Sequence, residues 1–337
     1  MTFAQQGSRR RIAVLCANSA DRPPHLAALE ERADVAYTDA DGLEMALADA
    51  DALFLWDFFS TAVRDAWPSA GRLRWIHVAA AGVDSLLFDE LRASDVVVTN
   101  AKGVFDRPIA EFVLMSVLAH AKDARGSLDR QRERRWEHRE TTLVAGSTAL
   151  VVGTGAIGRE IARLLRAVGV EVQGAGRSAR DGDPDFGSVI ASTDLVAHVG
   201  RADHVVVVTP LTPATTGLID AEVLAAMKPT AHLVNVGRGA VVVEDDLVAA
   251  LTAGRLAAAS LDVFATEPLP SDNPLWTTPG VSITAHMSGD TFGWRETLAR
   301  QFVDNALRWL DGEELANVVD KELGFVPSTQ PAGEPGR

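Results

Sequence analysis

Residues 149–158, Ala149-Leu150-Val151-Val152-Gly153-Thr154-Gly155-Ala156-Ile157-Gly158, constrain the fold more than any other stretch of the chain. Four apolar residues read as a short buried strand, and three glycines follow at G-x-G-x-x-G spacing. Ile157, Ile161, Leu164, Leu165 and Val168 then recur at helical spacing, with Gly169 placed to end the helix. Strand, glycine turn and amphipathic helix are the parts of a dinucleotide-binding βα unit. Gly153 permits the tight turn, Gly155 lets backbone approach a pyrophosphate, and Gly158 lets helix pack on strand. The helix N-terminus, with Thr154, Ala156 and Ile157 around it, offers free N–H groups and a positive dipole end to phosphates.

At 337 residues the chain is long enough for two domains, each with its own core. A formal net charge of −14 argues against a nucleic-acid footprint, which needs a basic face. Arg125–Arg139 holds six arginines among interleaved acids, and it reads as a solvated or subunit-facing helix rather than an anion site. The single cysteine, Cys16, sits in an apolar run and is expected to be a buried, inert thiol. One cysteine makes no internal disulfide and no C-x-x-C pattern, so no metal site is expected. The apolar run after Arg9-Arg10-Arg11 stops at Asn18, too short for a signal segment. No run approaches a membrane span, and the expected location is cytoplasmic.

Ahead of the glycine stretch, short apolar runs at 11–16, 35–37, 52–56, 75–78 and 96–99 read as five strands, with helices near 24–33 and 43–47. This alternation implies a small parallel α/β sheet without glycine-rich phosphate machinery. Two of its loops stand out. Ala79-Ala80-Ala81-Gly82-Val83-Asp84 follows a strand with small residues, so its N–H groups either receive a carboxylate or form a plain turn. Trp56-Asp57-Phe58-Phe59 either lines an apolar pocket, with Trp294, or belongs to a core aromatic cluster. Pro108–Lys122 reads as a long apolar helix joining the domains, its Met and Phe residues facing core.

The next strand, Val170-Glu171-Val172, ends at Gln173-Gly174-Ala175-Gly176-Arg177-Ser178-Ala179-Arg180. An NAD-selective site carries Asp or Glu about 20 residues past the glycines, on the ribose 2′-hydroxyl. Here that place holds Arg177 and Ser178, with Arg180 close behind. Arginine pairs with phosphate, so NADP(H) is expected to be preferred and NAD(H) possible. The alternative is that both arginines are solvated and Asp181 holds the ribose.

Four further apolar runs, 204–209, 231–236, 256–263 and 281–284, read as strands separated by helices near 219–227 and 244–253. A doubly wound sheet places ligands at the carboxyl ends of its strands. Those ends carry Thr209-Pro210; Asn235-Val236-Gly237-Arg238-Gly239; Asp262-Val263-Phe264-Ala265-Thr266-Glu267-Pro268; and Thr284-Ala285-His286-Met287-Ser288-Gly289. Hydride transfer to a carbonyl needs a polariser, a proton donor and a partner for that donor. Arg238 can fork onto a carboxylate and the adjoining carbonyl. His286 is the side chain suited to exchanging a proton near neutrality. Glu267 beside it would stabilise the imidazolium.

Taken in order, Gly-x-Gly-x-x-Gly, Asn-x-Gly-Arg-Gly, Asp-Val-Phe-x-x-Glu-Pro-Leu-Pro and His-x-Ser-Gly resemble the D-isomer-specific 2-hydroxyacid dehydrogenases. Arg238 and Glu267 stand 29 positions apart, and Glu267 and His286 stand 19 apart, spacings compatible with that family. Thr209-Pro210-Leu211-Thr212-Pro213-Ala214-Thr215 resembles its cofactor loop, and Ala80-Ala81-Gly82-Val83-Asp84 its substrate loop. Asn305–Gly312 and Asn317–Asp320 resemble its final helix and exit strand. The match runs from about residue 70 to 325.

The resemblance implies a Rossmann-type doubly wound nucleotide domain at 101–286 and a smaller flavodoxin-like α/β substrate domain at 1–100 and 287–325. Residues 326–337 are expected to form a disordered tail, with no added regulatory domain. By the same resemblance Arg238 binds and polarises a small 2-oxo acid, His286 is the acid/base, and Glu267 is its partner. Ala81 and Gly82 hold the substrate carboxylate, and Asp262 contacts the nicotinamide carboxamide; Trp56, on the pocket reading of its own loop, is a further substrate contact. Thr209, Pro210, Thr215, Val236, Gly237, Ser288 and Gly289 line the cofactor, and the protein is a homodimer. Arg177-Ser178-x-Arg180 is similar to the NADPH-using glyoxylate/hydroxypyruvate reductase branch and departs from the acidic pattern of NAD-dependent members. Glu267 separates the chain from formate dehydrogenases, which carry Gln there. Two rivals are a dinucleotide-sensing protein like the transcriptional corepressors of this fold, and an NAD-dependent phosphoglycerate-type dehydrogenase.

Overall fold

The computed structural model of the chain describes residues 9–327. Of these, residues within Met1–Val104 and Thr291–Arg337 form one compact unit, and Phe105–Asp290 forms the other. The chain thus crosses between units at 104/105 and 290/291, against the expected 100/101 and 286/287. From 328 onward the expected tail lies outside the described residues.

The first unit holds β1 (Arg11–Leu15), β2 (Asp34–Thr38), β3 (Ala52–Leu55), β4 (Trp75–Val78) and β5 (Val97–Asn100). They pair in parallel in the order β2-β1-β3-β4-β5, the flavodoxin-like doubly wound arrangement expected from the sequence. β3 and β4 are buried at every position, which is why they read as unbroken apolar runs rather than alternating ones. The helix Trp294–Asp311 completes this unit. Its Phe302 stacks on Phe54 with ring centroids 3.8 Å apart and lies 5.7 Å from Trp75. The chain then bridges β5 through Thr99 and Val318.

One helix differs from expectation. Instead of running from 24 to 33, it is limited to Ala27–Glu30. Two prolines are followed by His25 at φ 67°, outside helical space, and Asp34 already opens β2. Cys16 is buried just past β1, and burial foremost pushes its thiol up to about 11.

The second unit contains β6 (Thr148–Val152), β7 (Glu171–Gly176), β8 (Arg180–Asp183), β9 (Gly187–Ala191), β10 (His204–Val207), β11 (His232–Asn235), β12 (Ala258–Leu261) and β13 (Val281–Ile283). Their order is β13-β12-β11-β10-β6-β7-β9-β8, parallel except for the edge pair β8/β9. Strand order reverses between β6 and β10, the topological switch point of a Rossmann-type sheet. The sequence did not signal the β8–β9 hairpin, because β8 is charged and mostly exposed.

β7 also runs further than expected, through Gly174 and Gly176. A Cβ at Gly174 would meet the Phe186 ring at 2.9 Å, and one at Gly176 would meet Thr154 Oγ1 at 2.9 Å. These glycines answer a close approach rather than a turn. The arginine-rich segment is helical only over Ala124–Arg132, capped by the Asp123 side chain on the Gly126 N–H. Asp123 also pairs with Arg130 and Arg139, and Arg134 at φ 55° lies outside helical space. Among the described residues, no helix is long and apolar enough to cross a membrane.

Candidate active site

β6 delivers the chain into the glycine turn. Gly153 takes φ 121°, closed to other residues by sterics as well, since a Cβ there would sit 2.8 Å from Val208 backbone. A Cβ on Gly158 would fall 1.9 Å from the Gly153 carbonyl oxygen, so helix and strand approach as only glycine allows. Gly155 differs. It caps the helix Ala156–Ala167, and nothing lies within 4 Å of where its Cβ would be. Open space above a helix N-terminus is the cradle a pyrophosphate requires, so these residues fit a dinucleotide.

Four further strand ends, those of β10, β11, β12 and β13, lie on the same carboxyl rim. After β11, Asn235 locks its own turn. Its side-chain amide donates to the Arg238 carbonyl at 3.1 Å, and its side-chain oxygen accepts from the Gly237 N–H at 3.1 Å. Arg238 Nη1 donates to the Gly237 carbonyl at 2.8 Å. Gly239 tolerates no side chain, because a Cβ would lie 1.8 Å from Phe264 backbone. A Cβ on Gly237 would sit 2.9 Å from the Thr209 oxygen, so the β10 and β11 ends abut, with Val236 buried between. In the β10 loop, Thr215 Oγ1 donates to the Pro210 carbonyl at 2.7 Å and accepts from the Thr212 N–H at 2.8 Å.

His286 and Glu267 meet directly, with Nδ1 2.7 Å from Oε2. The other Glu267 oxygen accepts the Phe264 N–H at 2.8 Å, so both carboxylate oxygens are aimed. Burial by itself would raise this carboxyl. The His286 bond, the Phe264 N–H and the positive charges of His286 and Arg238 together hold it below the ordinary glutamate value. A carboxylate on Nδ1 selects the tautomer and leaves Nε2 as the nitrogen for other business.

Asp262, expected against a carboxamide, is 0% exposed. Its carboxylate accepts from Thr284 Oγ1 at 2.6 Å, the Met287 N–H at 3.0 Å and the Ser288 N–H at 2.9 Å. Its carbonyl accepts the His286 N–H at 2.8 Å. The observed work of Asp262 is to shape the loop that carries His286, whose φ of 50° is uncommon for a residue with a side chain. Ser288 is buried, and a Cβ on Gly289 would strike the Phe105 ring.

Past β7, Arg177 and Ser178 are exposed. Arg180 is not deployed in the same way. Its Nε and Nη2 donate to Asp183 Oδ2 at 3.0 and 2.8 Å. Asp183 also takes a fork from Arg159, on the helix after the glycine turn, at 2.9 and 3.0 Å. Burial would raise the Asp183 carboxyl, but the two guanidiniums and the Asp185 N–H hold it far below the carboxylate range. Asp181, the alternative ribose ligand, is exposed in β8.

In the first unit, the loop after β4 presents Ala81 and Gly82. Asn100 Nδ2 donates to the Ala81 carbonyl at 2.6 Å, while the Ala81 and Gly82 N–H groups have no hydrogen-bond partner among the described residues. Trp56, after β3, is 3% exposed and lies under the Arg295 guanidinium, 4.5 Å from its ring centre. Sequence reasoning missed Asn100, Asn235 and Asp183. Only Asn235 carried a signal, an asparagine two residues before a turn N–H.

A sequence model described as the NAD-binding domain of D-isomer specific 2-hydroxyacid dehydrogenases matches residues 114–288. Glyoxylate/hydroxypyruvate reductase A of Serratia proteamaculans is 33% identical over 263 residues, covering 76% of this chain and 82% of that protein. The human glyoxylate reductase/hydroxypyruvate reductase is 32% identical over 285 residues, covering 82% and 86%. A D-isomer specific 2-hydroxyacid dehydrogenase from Xanthobacter autotrophicus Py2, solved with NADPH and MES, is similar with a TM-score of 0.79 at 31% identity. That likeness covers 95% of this chain and 100% of the other. A switch-point sheet with a glycine cradle, matched by the family's own pattern over just over half of the chain, makes this protein a member of the D-isomer-specific 2-hydroxyacid dehydrogenases, NAD(P)-dependent oxidoreductases.

Proposed function

We propose that the protein reduces 2-oxo acids, of the glyoxylate/hydroxypyruvate type or bulkier, to D-2-hydroxy acids, with NADPH preferred over NADH. The observation that carries this reading is the His286 Nδ1–Glu267 Oε2 contact of 2.7 Å. The bound nicotinamide supplies the hydride. His286 holds a proton at Nε2 and delivers it to the substrate's carbonyl oxygen, and the same nitrogen takes it back in the oxidative direction. Glu267 orients the ring and balances the imidazolium charge while the proton is held. Arg238 binds the substrate and polarises its carbonyl; within the first unit, the Ala81 and Gly82 N–H groups are suited to receive a carboxylate.

The cofactor preference is supported by Arg177 and Ser178 where an acidic ribose ligand would otherwise stand, and by NADPH in the Xanthobacter relative. A homodimer is supported by apolar side chains left exposed on the second unit. Trp136 is 100% exposed, Leu143 71%, Leu128 53% and Met115 51%. The single buried thiol suits a cytoplasmic enzyme.

The test is oxidation of NADPH and of NADH by purified protein with glyoxylate, hydroxypyruvate and phenylpyruvate, alongside His286→Ala. Turnover with NADPH preferred is expected. In the variant, kcat should fall by about 10²–10⁴-fold, the size of a general acid's contribution, while NADPH affinity is kept. Unchanged turnover removes His286 from the chemistry. Silence on all six combinations with NADPH still bound points to a nucleotide sensor instead.

A further inference from the structure

We propose that Glu244 is a positioning residue for proton transfer: its carboxylate anchors the loop that carries Glu267 and so keeps Glu267 aimed at His286, a role that rests on the reductase reading of that pair.

The loop after β12 has little else to hold it. Residues 265–268 are exposed. Among the described residues, the backbone of 265–269 makes a single hydrogen bond, from the Ala265 N–H to Glu244 Oε1 at 2.7 Å. The other oxygen, Glu244 Oε2, lies 3.4 Å from Asn273 Nδ2, a longer contact. Asn273 stands at the far end of the same loop, where its Oδ1 accepts the Leu275 N–H at 2.9 Å. One carboxylate therefore touches the loop at its start and at its finish, with Glu267 between.

The path from that anchor to the imidazole is short. The Phe264 and Ala265 N–H groups are consecutive donors. The first goes to Glu267 Oε1 at 2.8 Å and the second to Glu244. Glu267 Oε2 then meets His286 Nδ1 at 2.7 Å. Because a peptide unit is planar, holding the Ala265 N–H also holds the Phe264 carbonyl, and with it the turn across which Glu267 reaches back.

Glu244 is itself firmly placed. It opens the helix Glu244–Thr252, whose positive end favours a carboxylate. On the strand-end side, a Cβ at Gly239 would lie 1.8 Å from Phe264 backbone. The loops of Arg238 and Glu267 are thus joined twice, by backbone packing at Gly239 and by the Glu244 carboxylate at Ala265. The next acids on the helix are Asp245 and Asp246, and Asp246 is engaged with the Ala221 N–H at 2.9 Å. Arg238 is the cation whose charge acts on Glu267 besides His286.

Loss of the anchor acts on proton transfer rather than on binding. A Glu267 carried on a loose, exposed loop spends less time against Nδ1 and stabilises the imidazolium less. The proton-bearing form of His286 is then lost at lower pH.

The test measures kcat, KM and the pH profile of kcat/KM for NADPH oxidation with hydroxypyruvate in the parent protein, Glu244→Ala, Glu244→Gln and Glu244→Asp. Glutamine keeps an acceptor at full reach. Aspartate keeps the charge but withdraws it by one methylene, and it carries the test if the alanine variant does not fold. In the alanine and aspartate variants kcat should fall about 10–100-fold, the effect of a small misplacement, with KM and NADPH affinity kept. The basic limb of the profile should move down by about one pH unit, part of what a neighbouring carboxylate contributes. Glutamine should restore both. An unmoved limb, or a glutamine variant no better than the shortened ones, overturns the proposal. Ring 15N shifts of His286 followed against pH separate it from the reductase reading. If the parent turns over no oxo acid, that reading fails. The anchor stands in that case if the His286 titration midpoint falls in the shortened variants and returns with glutamine, and it is overturned if the midpoint does not move.

Discussion

At the scale of single residues, buried carboxylates hold the loops of the candidate site in place. Asp262 gathers Thr284, Met287 and Ser288 around its two oxygens and thereby fixes the backbone of His286. Asp183 does the same for two arginines, bridging the first turn of the helix after the glycines to the start of β8. The consequence is a division between Arg177 and Arg180. Arg180 already donates Nε and Nη2 to Asp183, so much of its fork is committed before any phosphate arrives. Arg177→Ala should therefore raise the Kd for NADPH roughly tenfold, a charge-assisted contact's worth, and leave NADH nearly unaffected. Fluorescence titration with both cofactors measures it, and equal effects on the two would sink the 2′-phosphate role.

At the scale of elements, the end of the sheet opposite the glycine turn carries an acid sensitivity. His204 opens β10, His232 opens β11, and His120 closes the helix Asp106–Ala121. The His120 and His232 rings stack at 4.5 Å, and His204 stands edge-on to His232 at 5.7 Å. Burial, then the neighbouring imidazoles, pushes His204 down to about 4 and His232 well below its usual value, and burial also lowers His120. An unfolded chain protonates these rings near pH 6.5. The fold keeps His204 neutral to about 4, so the unfolded state binds more protons in between. Stability is full above the unfolded value and falls as pH drops through that window. His204 alone should account for about 3 kcal/mol across it. Thermal unfolding from pH 7 to pH 4 should show Tm falling, with a shallower fall in His204→Leu. Parallel slopes would remove the cluster from the cause.

At the scale of the whole molecule, two sheets with different strand orders share one rule. Each carries its chemistry-bearing residues at the carboxyl ends of parallel strands, where loops leave the sheet with backbone groups unpaired. The second unit also leaves apolar side chains in water along its helices and the segment after them, Met115, Leu128, Trp136 and Leu143 among them. A homodimer covering that surface is expected to run at twice the chain mass in light scattering after gel filtration. Trp136→Ser should shift the balance toward monomer. A monomer at micromolar concentration in the parent protein would overturn the dimer.

Much of this is legible in the amino-acid sequence. The glycine spacing, the apolar runs and the order of Arg238, Glu267 and His286 are local patterns, and local patterns survive in sequence. They determined the two parallel α/β sheets, the nucleotide-binding turn and the family. Long-range placement did not survive in the same way. Nothing in Asp262 tells a reader whether it faces a ligand or holds its neighbour's backbone. Nothing in Arg-Ser-Ala-Arg says that Asp183, which the second arginine grips three positions on, is also forked by Arg159 from 24 positions away, since that second pairing exists only in the tertiary fold. Trp56 reads as a pocket residue, yet its ring is buried, because the final helix, far along the chain, lays Arg295 over it. The physical reason is common to all three. Periodicity and turn chemistry act between residues a few positions apart, whereas burial and ion pairing are decided by which distant segments the tertiary fold brings into contact.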